Sequence, residues 1–235
     1  MSIDAVIFDW GGTLTPWHDV DLAEKWLAYA EVVQTANPAP LVEALVAAEA
    51  TAWAAARDRH ESATFDDVLA AAEVAYNAEA AAAYRASFDR HTYTDADVPA
   101  LFTDLRERDV RVGVLSNTMW PRDWHRDLFA RDGVLELIDG DVYSSEIPHT
   151  KPHELAFRKA MAAVGADDPS RCVFVGDRPY DDISGARAIG MRTIFVPHSN
   201  IPAAQQVPVD VSPDAVVERL AEVVVHVDGW RNGGG

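Results

Sequence analysis

The stretch IDAVIFDWGGTL, residues 3–14, decides how the chain is read. Its first half, Ile3 to Phe8, is a short, largely apolar run rich in branched residues, which stops at Asp9 and enters the pair Gly11-Gly12. A run of this length closed by a turn predicts a strand buried on both faces and ending in a loop. Similar runs recur at Val110 to Leu115, Cys172 to Val175 and Thr193 to Val196, each ending at a small, polar or turn residue. Amphipathic helical patterns fall at Ala100 to Arg108, Pro121 to Arg131, His153 to Val164, Asp181 to Ile189 and Pro213 to Val224. Strands alternating with helices predict an α/β fold, a doubly wound, Rossmann-like parallel sheet covered on both faces.

The segment from about Trp17 to Thr94 breaks the alternation. It is rich in Ala, Glu and Trp, carries apolar residues at helical spacing and contains no convincing strand. Three or four helices inserted after the first strand are expected. One stripe is Leu22, Trp26, Leu27, Tyr29 and Val33, and another is Leu41, Leu45, Ala48 and Ala52. Pro38 and Pro40 separate the first two helices, and Ser62 to Asp67 holds the cap and start of the third. The alanine tract Ala70 to Ala83 is expected to be a tightly packed helix. The predicted organisation is a core of residues 1–16 and 95–235 with a helical cap of residues 17–94. The tail Asn232 to Gly235 is read as disordered.

Composition narrows the partners. Thirty-eight acidic residues against 20 Lys plus Arg give a net charge of -18 over 235 residues, which repels phosphate backbones and anionic lipid. Nucleic acid and membrane are therefore not expected partners. The single cysteine, Cys172, precludes an intramolecular disulfide or a thiolate cluster within one chain. The start MSIDAVIFDW lacks a basic region and a long apolar run, and no later segment is expected to reach transmembrane length. A cytoplasmic setting is the resulting expectation.

In open α/β sheets ligands sit beyond the carboxyl ends of the strands, so the residues closing each run form one set. They are Asp9, then Ser116-Asn117-Thr118, then Lys151-Pro152, then Gly176-Asp177 with Asp181 and Asp182. A carboxylate at a strand end can attack phosphorus in line and become an acyl phosphate. Ser116 and Asn117 offer neutral donors for phosphoryl oxygens. The chain holds only three lysines, and Lys151 is the one fixed by a following proline. Asp177, Asp181 and Asp182 would repel one another without a cation, and hard oxygen ligands beside a phosphoryl site suit Mg2+.

These pieces, FDWGGTL at Phe8 to Leu14, VLSNT at Val114 to Thr118, HTKP at His149 to Pro152 and VGDRPYDDISGA at Val175 to Ala186, resemble the four motifs of the haloacid dehalogenase-like (HAD) hydrolase superfamily. The resemblance spans about Ala5 to Pro197 and places the helical insertion where members carry a C1-type cap. It implies Asp9 as nucleophile and metal ligand, the Gly11 carbonyl as a further Mg2+ ligand, and Gly12 and Thr13 at the phosphoryl group. It also implies that Lys151 neutralises the nucleophile and the transferring phosphoryl. Asp177 is the expected ligand of the last motif, and Asp182 is preferred to Asp181 as the second. A Mg2+-dependent phosphatase of a small phosphorylated metabolite follows.

One position departs from the pattern. Phosphatase members carry Asp two residues after the nucleophile as general acid and base, and here Gly11 stands there. An unreplaced acid costs about 10² to 10⁴ in rate. His18 and Asp19 are the candidates to take over the proton, with plain linker residues as the alternative. Three other readings remain. 2-Haloacid dehalogenases also lack that Asp but need no metal. Phosphonoacetaldehyde hydrolases have a similar first motif but use a cap lysine, and Lys25, the only lysine of the insertion, is too close to the nucleophile loop. A degenerate domain that binds a phosphorylated ligand or a protein partner without turnover is the third. In the insertion, Arg57, Arg59 and His60 are expected either to meet a second anionic group of the substrate or to serve the dipole of a helix C-terminus. Trp10, Trp17, Trp26 and Trp53 are expected as pocket wall or core.

Overall fold

The computed structural model describes residues 2–201 and 206–233. Its centre is a six-stranded, all-parallel sheet in the order β3-β2-β1-β4-β5-β6. The strands are β1 (Ala5–Phe8), β2 (Arg111–Ser116), β3 (Gly140–Tyr143), β4 (Cys172–Gly176), β5 (Arg192–Phe195) and β6 (Ala215–Val216). Because side chains alternate along a strand, each buried run feeds two cores. Val6, Phe8, Val112, Val114, Val173 and Val175 meet α5 (Val98–Glu107) and α9 (Val223–Asn232) on one face. Ala5, Ile7, Leu115, Cys172 and Phe174 meet α7 (Glu154–Ala163) and the short α8 (Gly185–Ala188) on the other. The remaining core helix, α6 (Arg122–Arg131), follows β2.

Between β1 and α5 the chain forms four helices, α1 (Leu22–Val33), α2 (Ala39–Arg59), α3 (Phe65–Ala71) and α4 (Ala78–Ser87), around a second core that also takes in Met119, Trp120 and Leu128 from the segment after β2. Trp26, Tyr29, Phe65 and Tyr84 are its centre, with Trp26 stacked on Phe65 at 5.4 Å. Thr64 caps α3 and forms a reciprocal capping box with Asp67.

Several sequence expectations need correction. Leu27 is exposed, whereas Lys25 and Glu49, on the same helices as the apolar stripes, are buried. Glu49 is tolerated because Trp26 and Trp53 donate their indole N–H groups to its two oxygens at 2.6 and 3.2 Å. Burial raises its pKa. Trp53 makes that bond from a partly exposed position rather than from the core. The alanine tract is not one helix. The Tyr29 hydroxyl donates to the Ala75 carbonyl and accepts from Asn77 N–H, and Asn77 caps α4, so tertiary bonds open a turn where alanine propensity favours continuity. The helix expected at Pro213 to Val224 starts only at Val223, because Asp214 bonds Thr193 through both its main chain and its carboxylate and draws residues 215–216 into β6. Asn232 closes α9, and residues 234–235 of the expected disordered tail lie outside the described residues. Strand β3 was not expected from the sequence. Its Asp141 is buried yet paired with Arg122 and Arg126. Finally, α2 is 21 residues long with a window of mean hydropathy 1.2, long and apolar enough by composition to cross a membrane, contrary to expectation. In this fold its Leu41 and Leu45 pack into the core formed by α1 to α4.

Candidate active site

The strand order reverses between β1 and β4, and such a switch point opens a crevice at the carboxyl ends of the strands. Asp9 leaves β1 there, held by its N–H to the Val175 carbonyl at 2.9 Å, and Asp177 leaves β4 beside it. The loop after Asp9 turns sharply through Trp10, whose carbonyl accepts from both Thr13 and Thr15 N–H. Gly12 lies at φ +92, and a Cβ there would fall 2.5 Å from Asp177 Oδ2. Only glycine permits both the turn and the approach.

Lys151, 2% exposed, reaches across 142 positions to Asp9. Its ammonium donates to Asp9 Oδ1 at 2.5 Å and to Asp182 Oδ1 at 2.7 Å. Burial opposes its charge, but Asp182 and Asp9 together hold it above the ordinary lysine range. Asp182 is the better engaged carboxylate, since Arg178 N–H donates to its Oδ2 at 2.9 Å. Asp177 is the least satisfied. Its Oδ1 receives the Thr13 hydroxyl at 3.4 Å and its Oδ2 is buried with no partner. Burial first, then the charges of Asp9 and Asp182, raise Asp177 from 3.8 to about 8.

The structure thus brings Asp9, Thr13, Lys151, Asp177 and Asp182 together. One oxygen each from Asp9, Asp177 and Asp182 lies within 4.8 Å of the other two, whereas Asp181 stands outside that trio. An unpartnered buried carboxylate oxygen facing two further carboxylates fits a hard divalent cation. Ser116, at the end of β2, is buried. Asn117 has a role that the sequence did not reveal: its Oδ1 accepts Lys151 N–H at 2.8 Å and its Nδ2 donates to the Lys151 carbonyl at 3.0 Å. The amide expected to face phosphoryl oxygens therefore fixes the main chain of the lysine. Ser199 was also missed. Its hydroxyl donates to the Gly12 carbonyl, on the nucleophile loop, at 3.5 Å.

The other candidates lie elsewhere. A Cβ built on Gly11 would meet nothing within 4 Å, so the position of the missing carboxylate is open space. His18 and Asp19 are exposed; the His18 ring lies 5.0 Å from that of His91, and Asp19 accepts from Trp17 Nε1 at 3.2 Å. Arg57 and Arg59 pair with Asp58 and Glu61 on the surface of the last turn of α2. His60 instead faces the core domain, with Nε2 3.1 Å from the Tyr180 hydroxyl and its carbonyl accepting Thr150 N–H at 3.0 Å. The end of α2 is thereby tied to the loop that carries Lys151.

The raised Asp177 carries a pH prediction. A carboxyl that keeps its proton up to about 8 when folded but ionises near 3.8 when unfolded disfavours folding as pH rises between those values. In chelator the melting temperature should fall from pH 5 to pH 8. Mg2+ at about 100 times its Kd should raise it at pH 8 by roughly 5–10 °C, and by less at pH 5. Asp177→Asn should remove both the pH trend and the Mg2+ response. A Mg2+ response unchanged in the variant would remove Asp177 from the cation site.

A family model described as haloacid dehalogenase-like hydrolase matches residues 3–190. A glyceraldehyde 3-phosphate phosphatase of Methanothermobacter thermautotrophicus is 34% identical over 93 residues, which cover 40% of this chain and 40% of that protein. The chain spans between 37% and 49% of the length of the first three curated relatives it matches. Among solved structures, a HAD phosphatase from Thermococcus onnurineus superposes with a TM-score of 0.67 at 16% identity, covering 97% of this chain and 99% of that one. L-2-Haloacid dehalogenase from Xanthobacter autotrophicus gives 0.65 at 17% identity, with coverage of 97% and 99%. At such identities these likenesses speak for the fold alone, and the fold is common to both activities.

Proposed function

The chain belongs to the haloacid dehalogenase-like hydrolase family, and we propose that within it the protein is a Mg2+-dependent phosphatase of a small phosphorylated metabolite, working through an aspartyl-phosphate on Asp9. The observation that carries this reading is the trio Asp9, Asp177 and Asp182 with the buried, unpartnered Asp177 Oδ2. A dehalogenase needs no metal, so a trio suited to a cation favours the phosphatase reading over that one. The phosphatase named among the relatives supports the same direction.

In this reading Asp9 attacks the phosphorus of a monoester, forming an Asp9–phosphorus bond as the ester oxygen leaves. Water then attacks the same phosphorus, releases inorganic phosphate and returns the carboxylate. Lys151 orients Asp9 through its bond to Oδ1, and its charge faces the transferring group. Ser116 and the Thr13 hydroxyl, which in this structure donates to Asp177 Oδ1, line the phosphoryl position, with Gly12 allowing close approach. Asp9, Asp177, Asp182 and the Gly11 carbonyl are the groups assigned to Mg2+, which when bound would supply positive charge against the phosphoryl oxygens. Residues 17–94 act as a cap over the core of residues 1–16 and 95–235 and select the substrate. The acidic surface argues against nucleic acid or membrane as partner, and a cytoplasmic setting belongs to the same reading.

The leaving group must find its own proton. The space beside Gly11 is open, and both His18 and Asp19 are engaged elsewhere. The rate should therefore depend steeply on leaving-group pKa, with acyl and aryl phosphates hydrolysed about 10² to 10⁴ times faster than alkyl esters. Gly11→Asp is sterically permitted and should accelerate alkyl esters most. A screen of phosphate esters with Mg2+ and with chelator, with 2-haloacids in parallel, tests the function. Haloacid turnover in chelator without phosphate release would replace the phosphatase reading by the dehalogenase one, and a shallow leaving-group slope would mean that another group supplies the proton.

A further inference from the structure

Behind the nucleophile loop lies a buried aromatic cluster that takes no part in the chemistry above. His125, on α6, is fully buried. Its ring stacks on Tyr143 at 4.4 Å and 13° and meets Trp10 edge-on at 4.5 Å and 89°. Its Nε2 lies 3.2 Å from the Thr118 hydroxyl. That hydroxyl also accepts Trp120 N–H at 3.0 Å, and with its proton and a second lone pair left it can donate to the imidazole or accept from it. Thr118 is further clamped by Ser144, whose hydroxyl accepts Thr118 N–H at 2.8 Å and donates to the Thr118 carbonyl at 2.9 Å. Burial keeps the ring neutral by lowering the His125 pKa to about 3. The arrangement leaves Nδ1 buried without a partner. Surrendering one polar atom in this way is a cost that an apolar residue of the same shape would avoid.

Two of the residues that His125 touches, Trp10 and Thr118, belong to different parts of the site. Trp10 sits between Asp9 and Gly11, and Thr118 closes the segment that begins with Ser116 and Asn117. We propose that His125 is a positioning residue that locks the nucleophile loop to the phosphoryl-binding segment after β2, through its edge contact with Trp10 and its hydrogen bond with Thr118. The bond fixes the Thr118 rotamer, while Asn117, one residue earlier, holds the Lys151 main chain. A single ring thus sets the spacing of Asp9 against both Ser116 and Lys151. For its catalytic readout this inference rests on the phosphatase reading.

The test uses His125→Phe, which keeps an aromatic ring and removes the hydrogen bond, and His125→Gln, whose side-chain amide can accept or donate in place of Nε2. His125→Phe should fold with a melting temperature close to that of the parent, since it also removes the stranded Nδ1. Its kcat should fall about 10- to 100-fold with KM for an aryl phosphate little changed, as misplacement of a reacting group predicts. His125→Gln should recover most of kcat. Thr118→Val, which also leaves Trp120 N–H without its acceptor, should lose at least as much, and the double variant His125→Phe/Thr118→Val no more than Thr118→Val alone, because the His125–Thr118 bond is already gone there. A folded His125→Phe with the parent's kcat, or additive losses in the double variant, would overturn the proposal. If the parent hydrolyses no phosphate ester, the phosphatase reading falls, and the lock is judged by amide hydrogen exchange at Gly11 to Thr13 and at Trp120. Faster exchange at both segments in His125→Phe, restored by Gln, supports it, and unchanged exchange overturns it.

Discussion

Asp9→Asn should fold as the parent does and release phosphate at least about 10⁴-fold more slowly, the scale on which loss of a covalent nucleophile is felt. The amide keeps the shape of the carboxylate and still offers Lys151 an oxygen, so the ammonium retains Asp182 and one acceptor at position 9. What disappears is the negative, nucleophilic oxygen. A thermal melt and an ester assay separate these two effects, and retention of more than a few per cent of activity in a folded variant would exclude covalent catalysis at this residue. The parent enzyme offers a complementary measurement in one turnover in heavy-oxygen water. If water attacks phosphorus, the label appears in released phosphate and the Asp9 carboxyl stays unlabelled. If water attacks the carboxyl carbon of an ester intermediate, as a dehalogenase-type route requires, the label enters Asp9 itself.

The residues that carry this chemistry were legible because parallel strands buried on both faces must be continuously apolar, so a polar residue closing such a run marks a crevice. Asp9 and Asp177 were found that way, and Lys151 stood out through the scarcity of lysine. What escaped notice depends on contacts between distant parts of the chain. Asn117 reads as a donor after a strand until the fold sets its amide across the Lys151 main chain, 34 positions away. Ser199 has no local pattern at all. Lys25 and Glu49 were invisible as buried groups because helical periodicity assigns charges to solvent, whereas Ser87 O accepts from one and two indoles donate to the other. β3 contributes only Val142 and Tyr143 as apolar residues, and its buried Asp141 becomes tolerable only once two arginines of α6 reach it. In each case the missing information was a partner rather than a propensity.

Lys151→Met should lose both activity and stability, and the two losses should part company with pH. Methionine fills much of the buried volume but leaves Asp9, Asp177 and Asp182 with no cation among their own partners. Removing one member of a buried ion pair costs about 3–5 kcal/mol when the other stays charged. Here the carboxylates can escape part of that cost by taking up protons. In the variant the pKa of Asp182 must rise further, since the attraction of the ammonium is gone and the repulsion of Asp9 remains. A carboxyl raised in the folded state weakens folding as pH climbs above its unfolded value. The variant should therefore melt near the parent at about pH 4 and fall progressively below it by pH 8, with Mg2+ recovering part of the difference by supplying the missing charge. Activity should not follow this recovery, because a cation held by the carboxylates does not replace an ammonium bonded to Asp9 Oδ1 and facing the transferring phosphoryl. A melting-temperature deficit independent of pH would show that Lys151 acts in folding through packing alone, and full activity restored by Mg2+ would show that its charge, rather than its placement against Asp9, is what the reaction needs.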